Sequence, residues 1–74
     1  MTPTVLNRFF NRYALTPSER RLVKLLLDGI TPIEISHLLN HSHRTIKTQL
    51  SRIYKKTSQK GALKLVTSIY KDTR

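Results

Sequence analysis

Residues 42–57 read S-H-R-T-I-K-T-Q-L-S-R-I-Y-K-K-T, and this stretch decides how the rest of the chain is interpreted. Four of its residues recur at spacings of four, three and four, which places them on one stripe of an α-helix. They are Ile46, Leu50, Ile53 and Thr57. The opposite side carries cations and short hydroxyl side chains and lacks acidic residues. The pattern therefore predicts a helix that rests on a small core and exposes a cationic face.

That cationic face suits a groove lined with phosphates. Cations reach a phosphate backbone, and small polar side chains can approach base edges. An ordinary solvated surface helix has the same pattern, so the flanking sequence must decide between the two interpretations. The face consists of Arg44, Thr48, Ser51 and Lys55, with Lys47 and Arg52 beside them.

Two similar helix starts precede this stretch. Residues 16–19 (T-P-S-E) and 31–34 (T-P-I-E) each combine a capping threonine, a proline for the first helical position and a glutamate that can close a capping box. Residues 40–42 then form a tight turn, in which Ser42 caps the basic helix. Two short helices, a tight turn and a basic helix are typical of a helix-turn-helix unit, whose last helix lies in the major groove of DNA.

Charge and composition point to a polyanionic partner. The 74 residues carry 14 Lys plus Arg and 4 Asp plus Glu, a formal net charge of +10. Eight basic residues and no acidic residue lie between Glu34 and Asp72, which favours nucleic acid first and an anionic membrane second. The chain has no cysteine and no apolar run of membrane-spanning length, so we expect a soluble cytoplasmic protein without disulfides.

The two ends of the chain carry amphipathic patterns. Residues 1–14 are predicted to be an extension with a short helix whose aromatic face covers the core or contacts a partner subunit. Residues 61–71 are predicted to form the last helix, with apolar residues over almost half of its circumference. We expect some of them to face the core and some a twin subunit.

The segment from Leu15 to Val66 resembles the LuxR/FixJ (GerE) type of helix-turn-helix domain. The matching pieces are L-T-P-S-E-R at 15–20, L-L-L-D-G-I-T at 25–31, E-I at 34–35 and T-I-K-T-Q-L-S-R-I-Y-K-K at 45–56. The resemblance implies an all-α fold, with a four-helix domain over residues 15–74 preceded by the short extra N-terminal helix. It also implies DNA binding as a dimer, with the domain's third helix in the major groove and its fourth helix pairing subunits.

The resemblance carries functional roles onto individual positions. Its base-contacting residues fall on Lys47, Thr48 and Ser51. Its contacts to the DNA backbone fall on Thr31, Ser42, Arg44, Thr45, Lys55 and Lys56. The helical wheel adds Arg52, and the bare N–H groups at the start of the basic helix add His43. The dimerisation residues implied on the last helix are Leu63, Leu65, Val66, Ile69 and Tyr70.

The chain departs from the family pattern where the basic helix ends. The family usually has Leu-Gly-Val where this chain has Thr57, Ser58 and Gln59. The glycine stop is missing, and the sequence therefore predicts a weaker helix end and less apolar support between the last two helices.

No catalytic or metal-binding arrangement is evident in the sequence. His37, His41 and His43 lie close in sequence, but no cysteine or nearby acid completes a zinc site, so we expect neither metal nor cofactor. Nucleophile–base pairs, paired carboxylates and glycine-rich phosphate loops are not found, which argues against an enzyme with a small-molecule substrate.

These observations favour a stand-alone regulator of transcription that binds double-stranded DNA sequence-specifically. About 14 residues precede the matching segment, too few for a receiver or ligand-binding domain, so we expect either a stand-alone protein or an excised fragment of a longer one. We expect a homodimer on an imperfect palindrome in the bacterial nucleoid, with RNA polymerase or a larger regulator as a further partner. The alternatives are a protein-interaction module that pairs with a larger homologous regulator, and a sequence-neutral nucleoid or RNA binder.

Overall fold

A computed structural model describes residues 3–72, and every regular element in that range is an α-helix. The all-α fold is confirmed, and the extra N-terminal helix is present. The basic helix, third of the domain, is α4 when helices are counted from the first described residue. The helices are α1 Pro3–Arg12, α2 Pro17–Leu27, α3 Pro32–Leu38, α4 His43–Thr57 and α5 Ala62–Asp72.

Both predicted capping boxes are formed, and they fix where α2 and α3 begin. The backbone N–H of Glu19 donates to the Thr16 hydroxyl oxygen at 3.2 Å, and the Thr16 N–H donates to the Glu19 carboxylate at 2.9 Å. Thr31 and Glu34 repeat the arrangement at 3.2 and 3.0 Å. These bonds satisfy N–H groups that a helix start leaves without intrahelical partners.

All five helices contribute to one apolar core. The helix α4 rests on it with the predicted stripe, and α3 packs against α4. From α1, Phe9 and Phe10 are fully enclosed, so the N-terminal helix covers the core, as one of its two interpretations expected. The core residues are Phe9, Phe10, Leu15, Leu22, Val23, Leu26, Ile35, Ile46, Leu50, Ile53, Leu65 and Ile69.

The helix α1 contacts the last part of the described chain. It packs against α5, and the Arg12 guanidinium lies 3.0 Å from the Asp72 carboxylate. Arg20 on α2 stacks over the Phe10 ring at 5.5 Å and donates to the Leu15 carbonyl at 2.9 Å. The boundary predicted at residue 15 stays a prediction, although the residues before it share the core of the later helices.

The helix α5 divides its apolar residues between core and surface. Leu65 and Ile69 are completely buried within the chain, so they have no surface to offer a twin subunit and their predicted dimerisation role is corrected. Leu63 is 78% exposed and Tyr70 is 50% exposed, while Val66 is half-buried. The apolar stripe that remains for a partner is therefore Leu63, Val66 and Tyr70, at helical spacings of three and four residues.

The helix α4 ends at a residue in the left-handed conformation that usually requires glycine, but the residue here is a serine. Ser58 adopts the left-handed conformation (φ 57°, ψ 34°), and the Gln59 N–H donates to the Tyr54 carbonyl at 2.9 Å. The buried Thr57 directs its hydroxyl into the helix, donating to the Ile53 carbonyl at 2.8 Å. The helix thus ends where the family pattern ends it, but a serine carries the strain of the left-handed backbone.

We predict that Ser58→Gly stabilises the fold by about 0.5–1 kcal/mol, because glycine adopts a positive φ without steric cost. Urea unfolding followed by circular dichroism would measure the change. The matched control is Ser51→Gly in the exposed interior of α4, where glycine should instead destabilise by about 0.5 kcal/mol. A Ser58→Gly protein no more stable than the wild type would contradict the strain argument.

Candidate nucleic-acid interface

The start of α4 is anchored by the turn that precedes it. The Ser42 hydroxyl oxygen accepts from the Thr45 N–H at 3.1 Å, and the same hydroxyl donates to the Thr45 side chain at 2.9 Å. Asn40 adopts a left-handed conformation (φ 55°), and the His41 N–H donates to the Ser36 carbonyl at 3.0 Å. Asparagine tolerates this conformation better than most residues, so the four-residue link 39–42 suffices to set α4 against α3.

The three predicted base-contacting residues lie together on the exposed side of α4. Lys47, Thr48 and Ser51 line one shallow surface depression with His43 and Arg44. All five are exposed, and we call them the readout face. The Thr48 hydroxyl donates to the Arg44 carbonyl at 3.0 Å, so its hydrogen is already used within the helix. What Thr48 presents outward is an acceptor oxygen and a methyl group.

Most of the predicted backbone-contacting residues border the readout face. Arg44, Thr45 and Arg52 line a second depression alongside it. Arg52 and Lys55 also line a crevice between α4 and the start of α2. Thr31 lies apart from them at the start of α3, exposed, with its hydroxyl oxygen accepting from Glu34. The exposed cations Arg44, Arg52 and Lys55 therefore form a strip that begins within the readout face and continues beside it.

Lys56 differs from the other predicted backbone-contacting residues. Its ammonium nitrogen lies 2.7 Å from the Glu19 carboxylate and 3.4 Å from the Ala14 carbonyl oxygen. The charge of Lys56 is thus paired within the chain, and its predicted phosphate contact stays a prediction. The sequence signal that could have indicated this is spacing: Lys56 follows the buried Ile53 by three residues, so it borders the apolar stripe, whereas Lys55 does not.

Glu19 lies in a largely buried position, with only 10% of its side chain exposed, and is nevertheless held ionised. Burial disfavours the carboxylate and raises its pKa, but hydrogen bonds from Lys56 and Thr16 outweigh that effect. The pKa of Glu19 consequently lies below its ordinary value. The exposed Glu34 also has a lowered pKa, because it accepts hydrogen bonds from the Thr31 backbone and side chain.

Residues 13–68 match the protein family described as bacterial regulatory proteins, luxR family (GerE). The chain belongs to the LuxR family. The resemblance drawn from the sequence is confirmed, and LuxR-family membership makes this a DNA-binding regulatory domain rather than an enzyme. The matched range begins after α1, so the helix that supplies Phe9 and Phe10 to the core lies outside it.

Two curated proteins are similar to this LuxR-family chain, and both are named probable transcriptional regulator ycf29. The protein from Pyropia yezoensis is 39% identical over 56 residues, covering 76% of this chain and 25% of the relative. The protein from Porphyra purpurea is 35% identical over 57 residues, covering 77% of this chain and 27% of the relative. The chain thus spans about a quarter of each relative's length. No solved structure matches the chain.

The described part of the LuxR-family chain carries neither a cluster of metal ligands nor a membrane-spanning helix. Across residues 3–72, no three His, Cys, Asp or Glu side chains come together as metal ligands, and His37, His41 and His43 are all exposed. Within the same range no helix has the length and apolar character needed to cross a membrane.

We predict that acid destabilises this LuxR-family domain partly through Glu19. Because its pKa is lower in the folded than in the unfolded chain, its stabilising effect is complete above the unfolded pKa of about 4.3 and is lost as pH falls through the folded pKa. The difference in unfolding free energy between the wild type and Glu19→Gln should therefore shrink between about pH 6 and about pH 3. Urea titrations across that range measure it. Glu34→Gln should show a shrinking difference as well, because the pKa of Glu34 is also lowered, and a constant difference for Glu19→Gln would contradict the assignment.

Proposed function

We propose that the chain regulates transcription by binding specific sequences of double-stranded DNA, with α4 in the major groove. The observation that carries this proposal is the two-sidedness of α4. Its stripe of Ile46, Leu50 and Ile53 is buried, while the readout face is exposed, cationic and free of acidic residues. The regulatory family and the names of the two relatives support the same function.

Each residue of the base-contacting set has a distinct role in this proposal. Lys47 donates to O6 and N7 of a guanine, the edge that a lysine reads best in the major groove. Thr48 offers its methyl group to a thymine or its oxygen to a base amino group, since its hydrogen is bound to Arg44. The short Ser51 contacts a base through water.

The DNA backbone would be held around this set by cations and by the start of α4. The Ser42 hydroxyl oxygen accepts from the Thr45 N–H. The earlier N–H groups of the first turn, those of His43 and Arg44, have no acceptor within the helix and would donate to a phosphate. Arg44, Arg52 and Lys55 supply charge along the strip. The proposed backbone-contacting residues are Thr31, Ser42, His43, Arg44, Thr45, Arg52 and Lys55.

We further propose that two copies pair through the exposed stripe of α5. Leu63 and Tyr70 are exposed on α5, and Val66, which packs partly against the core, lies between them in the stripe. A two-fold pair would set its two α4 helices about 34–36 Å apart, one DNA turn, and would require an imperfect palindrome. RNA polymerase or a larger regulator remains a proposed further partner.

Three finer expectations stay predictions. The stand-alone architecture stays a prediction because the chain spans only about a quarter of each relative's length. The bacterial origin and the location in the nucleoid also stay predictions, since the two relatives come from Pyropia yezoensis and Porphyra purpurea.

Selection of bound duplexes from random DNA by the wild-type chain tests the proposed function. A specific regulator should enrich one imperfectly palindromic sequence and prefer it over bulk DNA by about a thousandfold or more. A sequence-neutral binder would enrich none, and an interaction module would retain little DNA at all.

We predict that Lys47→Ala costs about 1–3 kcal/mol of binding free energy at one base pair of the selected sequence and relaxes specificity there. Titrations against single-base variants of that duplex measure the loss position by position. Lys55→Ala is the control: it should weaken all variants alike and lower the salt dependence by about one released counterion. Identical profiles for the two substitutions would contradict direct base reading by Lys47.

We predict that Leu63→Glu weakens self-association by about tenfold or more, because it places a carboxylate in the apolar stripe of α5. Sedimentation equilibrium and binding to a half-site against the full palindrome measure the effect. Leu38→Glu is the matched control, since Leu38 is 61% exposed but lies on α3. An interaction module would lose its protein partner with Leu63→Glu and be indifferent to Lys47→Ala.

A further inference from the structure

A polar junction joins the last part of α4 to the start of α2. One carboxylate oxygen of Glu19 accepts from both the Thr16 N–H, at 2.9 Å, and the Lys56 ammonium, at 2.7 Å. The ammonium also donates to the carbonyl of Ala14 in the α1–α2 link, at 3.4 Å. Lys56 therefore contacts α2 and the link before it at the same time.

We infer that Glu19 and Lys56 are positioning residues for DNA recognition, whose ion pair sets the angle at which α4 presents the readout face. The inference rests on the proposed function and deepens it, because it assigns the control of base reading to two residues that contact no base.

The pair is held in a fixed geometry. Glu19 is largely buried, and its carboxylate is tied to the Thr16 backbone by the capping box. Ala14 adopts a left-handed backbone (φ 53°), and its N–H is bound to the Asn11 carbonyl at 3.2 Å. The Lys56 side chain is 37% exposed, but its ammonium meets two acceptors fixed in this way, so it has less freedom than in an ion pair between two flexible side chains.

The ion pair lies near the end of α4, where a shift of the helix also moves the readout face. The start of α4 is anchored through Ser42, and its middle rests on the core through an apolar stripe. Apolar contacts are non-directional, so they leave α4 able to tilt or roll on the core. Lys56 adds a directional contact nine residues after Lys47, about 13 Å along the helix. Loss of that contact lets the end of α4 move and displaces the readout face.

The rival assignment, that Lys56 binds a DNA phosphate, predicts the opposite response at Glu19. In that case Glu19→Gln would release Lys56, remove an acid near the polyanion and tighten binding. If the pair positions α4, Glu19→Gln must weaken binding, since it removes the charge that holds Lys56.

The test compares Lys56→Met, Glu19→Gln and the double variant on the duplex selected by the wild-type chain, over a series of salt concentrations. We expect each single variant to weaken binding about two- to thirtyfold with an unchanged salt slope. Lys56→Met should add little once Glu19 is Gln, because the pair is already broken. The matched control, Lys55→Met, should lower the salt slope by about one. Tighter binding by Glu19→Gln, or a lower slope for Lys56→Met, would overturn the inference.

A second measurement keeps the inference testable without DNA. In the DNA-free chain, Lys56→Met and Glu19→Gln should shift the backbone amide resonances of residues 43–51, whereas Lys55→Met should leave them in place. Lys56→Arg, which can still reach both acceptors, should restore the resonances and the affinity even if Lys56→Met unfolds the domain. Unchanged resonances in both pair variants would overturn the inference. Failure of the wild type to select any duplex would instead overturn the proposed function.

Discussion

Burial of one stripe of α4 is the constraint on which the rest of the structure depends. Ile46, Leu50 and Ile53 are at most 2% exposed, so the opposite side of the same helix must face outward. A helix repeats every 3.6 residues, and this geometry alone separates the apolar stripe from Lys47 and Ser51. The four other helices complete the core beneath α4, and the caps at Thr16, Thr31 and Ser42 fix where three of the helices begin.

The sequence was sufficient where local rules act alone. Capping boxes, the tight turn and the α4 stripe depend on residues within four positions of one another, and each was found as predicted. The sequence was insufficient where two distant segments meet. Leu65 and Leu63 are both leucines on an apolar helix, and only the packing of α5 decides that the first is buried and the second exposed. Lys55 and Lys56 are adjacent and identical. Helical spacing places only Lys56 beside the apolar stripe, but the partner that it meets there, Glu19, lies 37 positions away.

The departures from the family pattern are accommodated by specific local interactions. Thr57 stands where the family usually has leucine, and it is buried with its hydroxyl bound to the Ile53 carbonyl. Ser58 replaces the usual glycine and still reaches the left-handed region. A buried hydroxyl with an internal acceptor costs far less than one without, so the polar substitution is tolerated in the core. Ser58 keeps the steric strain of a non-glycine residue in the left-handed region.

The pairing of Arg12 with Asp72 also bears on how the domain reaches its native state. The two residues are 60 positions apart, and α1, which carries the enclosed Phe9 and Phe10, packs against α5. Contacts between such distant segments require closure of a long loop, whereas the turn between α3 and α4 forms locally. The helix-turn-helix unit is thus expected to assemble early, with α1 docking late in folding. Native-state hydrogen exchange should accordingly be fastest at the α1–α5 junction, which makes this region the first to open.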